Sequence, residues 1–213
     1  MIFENINRVL ILAPHPDDAE FGLGGTIAKL IEKGKEVFVI VFSLCEKSTP
    51  ANFEIGAIEQ EMYASLSLLK IPKENIIVFD FSVREFPARR QEILEQMIEV
   101  RNKIKPDLVF IPSSSDIHQD HAVIHEEGKR AFKFYNLLGY EMPWNNFGFT
   151  SFVYNPLDDS HLNSKLDAIA CYKSQNFRTY SSPEFITALA TLRGGQILIK
   201  YAESFELIRL IAK

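Results

Sequence analysis

Continuous apolar runs alternate with helical stretches through the first half of the chain. Val9-Leu10-Ile11-Leu12-Ala13 reads as a fully buried strand over 8–13. The following stretch, Phe21 to Leu30, relaxes into helical periodicity and predicts a helix from about 24 to 33, stopped by Gly34. A second apolar run, Val37 to Val41, predicts a strand over 36–42. Residues 43–53 make a polar loop, long for a connection and on the same edge as the end of the first strand. Ile58, Met62, Leu66 and Leu69 stripe a second helix over 54–70. A third strand is expected over 76–79, a third helix over 88–103, and a fourth strand over 107–111, closed by Pro112.

This alternation argues a parallel sheet with right-handed crossovers. Past Phe134 the pattern changes. Residues 139–146 are aromatic and turn-rich, 149–154 read as a strand, and 162–172 as a helix. A polar loop over 174–182 leads to a helix over 183–192 that opens on proline, and 197–211 is a terminal strand-like, apolar stretch. No repeat, low-complexity tract or linker interrupts the chain. The expected fold class is α/β: a Rossmann-like three-layer sandwich with a mostly parallel sheet and an elaborated C-terminal third, in one domain over 1–213.

Composition narrows the function classes. With 213 residues, 46% hydrophobic and 24% charged, the chain is long enough for one well-cored domain. A net charge of -5 and a pI of about 5.6 leave no basic footprint for DNA or RNA. Residues 1–8 lack the charged n-region and cleavage site of a signal peptide, and no apolar run approaches membrane-spanning length. Cys45 and Cys171 are far apart, with no partner at metal-ligand spacing. The chain reads as cytoplasmic.

Two stretches carry candidate chemistry. Pro14-His15-Pro16-Asp17-Asp18-Ala19-Glu20 lies between the first strand and the first helix, and Ser113 to His121 directly follows the fourth strand. In the doubly wound order 3-2-1-4 those strands are neighbours at the switch point, where ligands bind. One loop then brings His15, Asp17 and Asp18 to a crevice, and the other brings His118, Asp120 and His121. Imidazole and carboxylate together are the ligand set of a catalytic zinc. Each loop alone has a plainer reading: Asp17 and Asp18 as helix caps, His118 to His121 as a polar helix start. Their coincidence at matching strand ends favours the site. His125 reads as a packed or solvated histidine and His161 as a surface turn residue. Gly22-Leu23-Gly24-Gly25 does not complete a dinucleotide fingerprint, because the third glycine position falls on Ile27. These glycines instead let the helix pack closely on the sheet or a ligand approach the backbone.

At these loops the sequence resembles the PIG-L/LmbE-like deacetylases, zinc-dependent enzymes that remove N-acetyl groups from amino sugars and their conjugates. The resemblance rests on His15-Pro16-Asp17-Asp18, Glu20, Gly24-Gly25-Thr26 and His118-Gln119-Asp120-His121. It extends more weakly to Ser174-Gln175 and Tyr201-Ala202-Glu203-Ser204-Phe205-Glu206. Ala19 inserts a residue before the glutamate of the commoner motif, as in the bacillithiol-pathway branch. Asp116 stands where some members carry a tyrosine, so no tyrosine-assisted step transfers to that position. The resemblance implies Zn2+ held by His15, Asp18 and His121, with Asp17 as general base. His118 would face the oxyanion and Asp120 would orient His118.

The chemistry agrees with that assignment. Three protein ligands leave a position for water, whose pKa zinc lowers toward neutrality. A protonated His118 would stabilise the negative tetrahedral oxygen. The expected reaction is hydrolysis of an N-acyl amino sugar, such as N-acetylglucosamine or a conjugate, to amine and carboxylate. Arg84, on the same sheet edge, is either a grip for a substrate hydroxyl, carboxylate or phosphate, or a solvated loop arginine. Glu141 and Trp144 either line a sugar pocket or belong to an aromatic core or subunit contact; the sequence does not fix the oligomeric state, and 135–152 is the segment where a homo-oligomer interface would lie. Two rivals remain: a zinc amidase acting on a thiol conjugate or other non-sugar amide, and a non-catalytic sugar- or nucleotide-binding domain. The full set of ligands, base and second histidine speaks against the latter.

Overall fold

The computed structural model describes residues 6–211. Most of the N-terminal segment read against a signal peptide, and residues 212–213, lie outside the described residues. The elements run β1 (Arg8–Ala13), α1 (Asp18–Glu32), β2 (Glu36–Val41), α2 (Ala57–Leu68), β3 (Ile76–Val78), α3 (Arg90–Ile104), β4 (Leu108–Pro112), α4 (Gln119–Ala131) and β5 (Asn136–Tyr140). The C-terminal third adds β6 (Val153–Leu157), α5 (Asp159–Ile169), α6 (Pro183–Gly195) and β7 (Tyr201–Arg209).

Among the described residues, seven strands form one sheet in the order β3-β2-β1-β4-β5-β7-β6. The first five are parallel, and β7 pairs antiparallel with both β5 and β6. β1 is buried from Val9 to Ala13, as a central parallel strand covered on both faces must be. Its side chains divide between two cores. Val9, Ile11 and Ala13 pack with Ile27, Met62, Leu66, Leu162 and Ile186 beneath α1, α2, α5 and α6. Leu10 and Leu12 pack with Ile93, Met97, Val100 and Ile124 beneath α3 and α4. The result is the three-layer α/β sandwich, with β1 and β4 adjacent at the switch point.

Differences from the sequence reading have local causes. β5 falls where no strand was expected, because Gly139 and the aromatic turn behind it mask a short apolar run. A side chain at Gly139 would meet Glu206 Oε2 at 2.9 Å and the Ser113 backbone at 3.1 Å, so close approach demands glycine there. β6 starts later than expected and contains Pro156, which an edge strand tolerates. His161 is no surface turn residue: it is buried at the third position of α5 in a capping box with Asp158. α1 begins at Asp18, earlier than expected, and is interrupted at Leu23. Among the described residues no helix is long and apolar enough to cross a membrane.

Candidate active site

The carboxyl ends of β1 and β4 lie side by side and each runs directly into a helix through a short polar turn. The first turn supplies His15 and Asp17, and Asp18 opens α1. The second is folded around Asp116, whose Oδ1 accepts the His118 N–H at 2.9 Å. It is tied to β7 by Glu206, which accepts Ser114 N at 2.7 Å and Ser114 Oγ at 2.6 Å. His118 caps α4.

Three donor atoms from these turns converge. His121 Nε2 lies 3.2 Å from His15 Nδ1, and Asp18 Oδ2 lies 3.4 Å from His15 Nδ1 and 3.3 Å from His121 Nε2. A tetrahedral ion with ligands at about 2.0–2.2 Å sets neighbouring donor atoms about 3.3–3.6 Å apart. The residues therefore fit a small tetrahedral cation. His118 brings a ring nitrogen within 4.8 Å of the other two imidazoles, a looser fit than the Asp18 carboxylate.

The far nitrogens of both imidazoles are held by carboxylates, as metal-bound histidines require. His121 Nδ1 meets Asp116 Oδ2 at 2.7 Å, and His15 Nε2 meets Asp120 Oδ2 at 3.1 Å. The cluster attracts positive charge. Burial works against a charged His121, yet Asp18 and Asp116 outweigh it and lift the group to about 10. Burial likewise disfavours the ionised Asp18, but His121 and His15 hold it well below the usual carboxylate range.

Asp17 stands beside this triangle with a half-buried side chain. Desolvation first, and the adjacent Asp18 second, raise its carboxyl to about 6, while the Arg178 charge opposes the rise.

The Asp120 carboxylate points at His15 and not at His118. Its backbone N–H, not its side chain, reaches His118, donating to Nδ1 at 3.2 Å. An Nδ1 that accepts leaves the ring's proton on Nε2, and burial, followed by the charges of His121 and His15, lowers the His118 pKa. In that tautomer Nε2–H is the ring's donor.

The cluster lines an open cleft with a cavity volume of ≈ 190 Å³. Arg84 stands at its rim with an exposed side chain. Its backbone is held at φ 69° by Asp120 Oδ2, which accepts its N–H at 2.7 Å, and by Gln119 Nε2, which donates to its carbonyl at 2.8 Å. Trp144 lines the cleft, whereas Glu141 turns away into a buried pair with Arg193. Sequence reasoning missed Tyr172, Arg178 and Tyr180, which form a further wall of the cleft. Tyr180 stacks on Trp144 with centroids 3.9 Å apart and planes at 10°, and Arg178 donates to the Tyr180 hydroxyl. No strand end marks the 174–182 loop, so its spacing gives no warning of that wall.

The family description "PIG-L: GlcNAc-PI de-N-acetylase" matches residues 10–132, which contain both loops of the cluster. The chain belongs to the PIG-L family. It is 31% identical over 128 residues to a diacetylchitobiose deacetylase of Thermococcus kodakarensis, a match spanning 56% of this chain and 46% of that protein. The chain thus covers under half the length of that relative. An uncharacterized deacetylase of Escherichia coli, YaiS, is 24% identical over 172 residues, covering 78% and 90%. The fold matches that of the N,N'-diacetylchitobiose deacetylase of Pyrococcus horikoshii with a TM-score of 0.82 at 23% identity, over 97% of this chain and 85% of that one.

Proposed function

We propose that this protein is a zinc-dependent deacetylase that hydrolyses the N-acetyl amide of an amino sugar or its conjugate. The observation that carries the reading is the triangle of His15 Nδ1, Asp18 Oδ2 and His121 Nε2, with edges of 3.2 to 3.4 Å, lining the same cleft as Asp17 and His118. The printed name of the Thermococcus relative supports an N-acetylglucosamine-type substrate, as does that of a Corynebacterium glutamicum 1D-myo-inositol 2-acetamido-2-deoxy-alpha-D-glucopyranoside deacetylase, 29% identical over 146 residues.

His15, Asp18 and His121 would hold the zinc, which would supply Lewis acidity toward the amide carbonyl and toward water. Asp17 lies outside the donor triangle and takes the proton of the attacking water. A base raised to about 6 is ionised at neutral pH yet stronger than an ordinary aspartate. His118 donates its Nε2–H to the oxygen that becomes negative. Asp120 and Asp116 hold the two ligand imidazoles in their tautomers. Arg84 grips the part of the substrate beyond the acetyl group, and the Trp144–Tyr180 wall shields the cleft. The proton taken by Asp17 passes to the departing nitrogen as the C–N bond breaks, and the products are the free amine and acetate. One sheet with a core on each face supports a single domain, and the two free cysteines support a cytoplasmic location. The exposed rings of Phe147 and Phe152 support a homo-oligomer built through 135–152.

The test is amine release from N-acetylglucosamine and its nucleotide- and lipid-linked derivatives. It compares native, chelated and zinc-restored protein with Asp17→Asn. Activity lost on chelation, regained with zinc and absent in Asp17→Asn is the expected result. Stoichiometric zinc without release from any sugar moves the substrate to another amide. Failure to bind zinc overturns the assignment of the site.

A further inference from the structure

α1 is broken after its first turn, where Leu23 has φ -154° and ψ 27°. In an unbroken helix the Gly25 N–H bonds the Phe21 carbonyl. Here an ion pair from the C-terminal third serves those two groups. Gly25 N donates to Glu203 Oε1 at 3.1 Å, and Thr26 N donates to Glu203 Oε2 at 2.6 Å. The Phe21 carbonyl accepts from Lys165 Nζ at 2.7 Å. Lys165 Nζ and Glu203 Oε1 are themselves 2.7 Å apart, and both side chains are buried. Carbonyl, ammonium, carboxylate and amide thus bridge the gap in sequence.

The break frees the first turn, Asp18 to Gly22, from the axis of the rest of α1. That turn carries Asp18 at its first position and Asp17 as its cap. Its own contacts are distinct: Gly22 lies against the Tyr140 ring, and the Tyr172 hydroxyl meets the Pro16 carbonyl and Glu20. A buried ion pair is a weak source of stability compared with apolar side chains of the same size. Hydrocarbon, however, cannot satisfy a bare carbonyl on one side of a break and two bare amides on the other.

We propose that Lys165 and Glu203 are positioning residues for the turn that presents Asp17 and Asp18. They fix the break at Leu23 and so the direction from which both carboxylates meet His15 and His121, while touching neither ion nor substrate. The proposal rests on the metal site put forward above.

The experiment compares Lys165→Met, Glu203→Gln and the double variant Lys165→Met/Glu203→Leu, which leaves no charge buried alone. Ile93→Ala, in the core on the opposite face of the sheet, is the control for general loss of stability. Zinc affinity is read by chelator competition, and amide exchange of residues 18–22 is read in zinc-free protein. The expected result is at least tenfold weaker zinc binding and faster exchange at 18–22 in the folded double variant, with neither change in Ile93→Ala. Native zinc affinity and exchange in the double variant overturn the proposal, as does an equal loss in the control. If the unmutated protein binds no zinc, the metal reading falls, and the exchange at 18–22 still decides whether the pair sets this turn.

Discussion

Asp120 Oδ2 lies 3.1 Å from His15 Nε2, across 105 residues of sequence. The same oxygen accepts the Arg84 N–H, so one carboxylate sets both an imidazole of the donor triangle and the loop that carries the rim arginine. Asp120→Ala leaves both donors bare. Zinc affinity is expected to fall about 10- to 100-fold, the usual effect of removing a carboxylate behind a ligand histidine. Asp120→Asn keeps an acceptor and is expected to fall less. The present Oδ1 has no protein partner, so the amide NH2 placed there goes unpaired while the amide oxygen keeps both donors. Chelator competition on the two variants checks the order, and equal affinities would contradict it.

Asp17 is placed for reactivity at a cost in stability. Its folded-state pKa of about 6 stands above the ordinary 3.8, so the folded protein holds this proton more tightly than the unfolded chain. The penalty is absent below about pH 4, grows between the two values, and is complete above about 6. Asp17→Asn is therefore expected to be inactive yet more stable in its zinc-free form at pH 7. The gain is on the order of 1 kcal/mol once the half-exposed position is allowed for. At pH 4 the difference vanishes. Urea denaturation of the chelated proteins at both values measures it.

The parts of the site legible in sequence are those with local cues. β1 and β4 are unbroken apolar runs, and each ends at a histidine–aspartate turn, so parallel topology alone brings His15, Asp18 and His121 together. The partner of His118 could not be read, because Asp120 lies two residues away by spacing yet directs its carboxylate across the crevice. Arg178 and Tyr180 were illegible for a different reason: they come from an irregular loop whose path depends on packing against Trp144. β5 was hidden by Gly139, a residue chosen for close approach and not for strand propensity. The break in α1 was equally hidden, since its helical partners are replaced by Lys165 and Glu203.

Gly22 is set by space. A methyl group there would lie 2.6 Å from Tyr140 Cδ2 and 2.8 Å from Cγ, and the ring cannot swing aside while its hydroxyl donates to the Leu12 carbonyl at 2.9 Å. Gly22→Ala gains helix propensity but overpacks this contact. A net loss of about 1–3 kcal/mol is expected. Relieving Tyr140 with Gly22→Ala/Tyr140→Leu is expected to recover part of it. Denaturation of the single and double variants decides, and an unchanged Gly22→Ala would show that the first turn of α1 is free to shift.

Glu20 makes the sharpest prediction about pH. Its side chain is fully buried in the same turn, with Ser65 Oγ donating to it at 2.5 Å and the Tyr172 hydroxyl at 2.8 Å, while Oε2 has no partner. Desolvation raises the carboxyl to about 8, against the two hydrogen bonds that lower it, so the folded protein carries Glu20 neutral at pH 7. The unfolded chain ionises the same group near 4.5, and unfolding between those values releases a proton. Stability contributed by the neutral form is present below about 4.5 and declines with rising pH, by up to about 1.4 kcal/mol per unit, until the folded group also ionises near 8. Glu20→Gln keeps the acceptor facing Ser65 and removes the titration. Its stability relative to the native protein is expected to climb steadily from pH 5 to pH 8, measured by urea denaturation of zinc-free samples. Parallel stability curves would mean that Glu20 is already ionised in the fold and that its unpartnered oxygen is met by water.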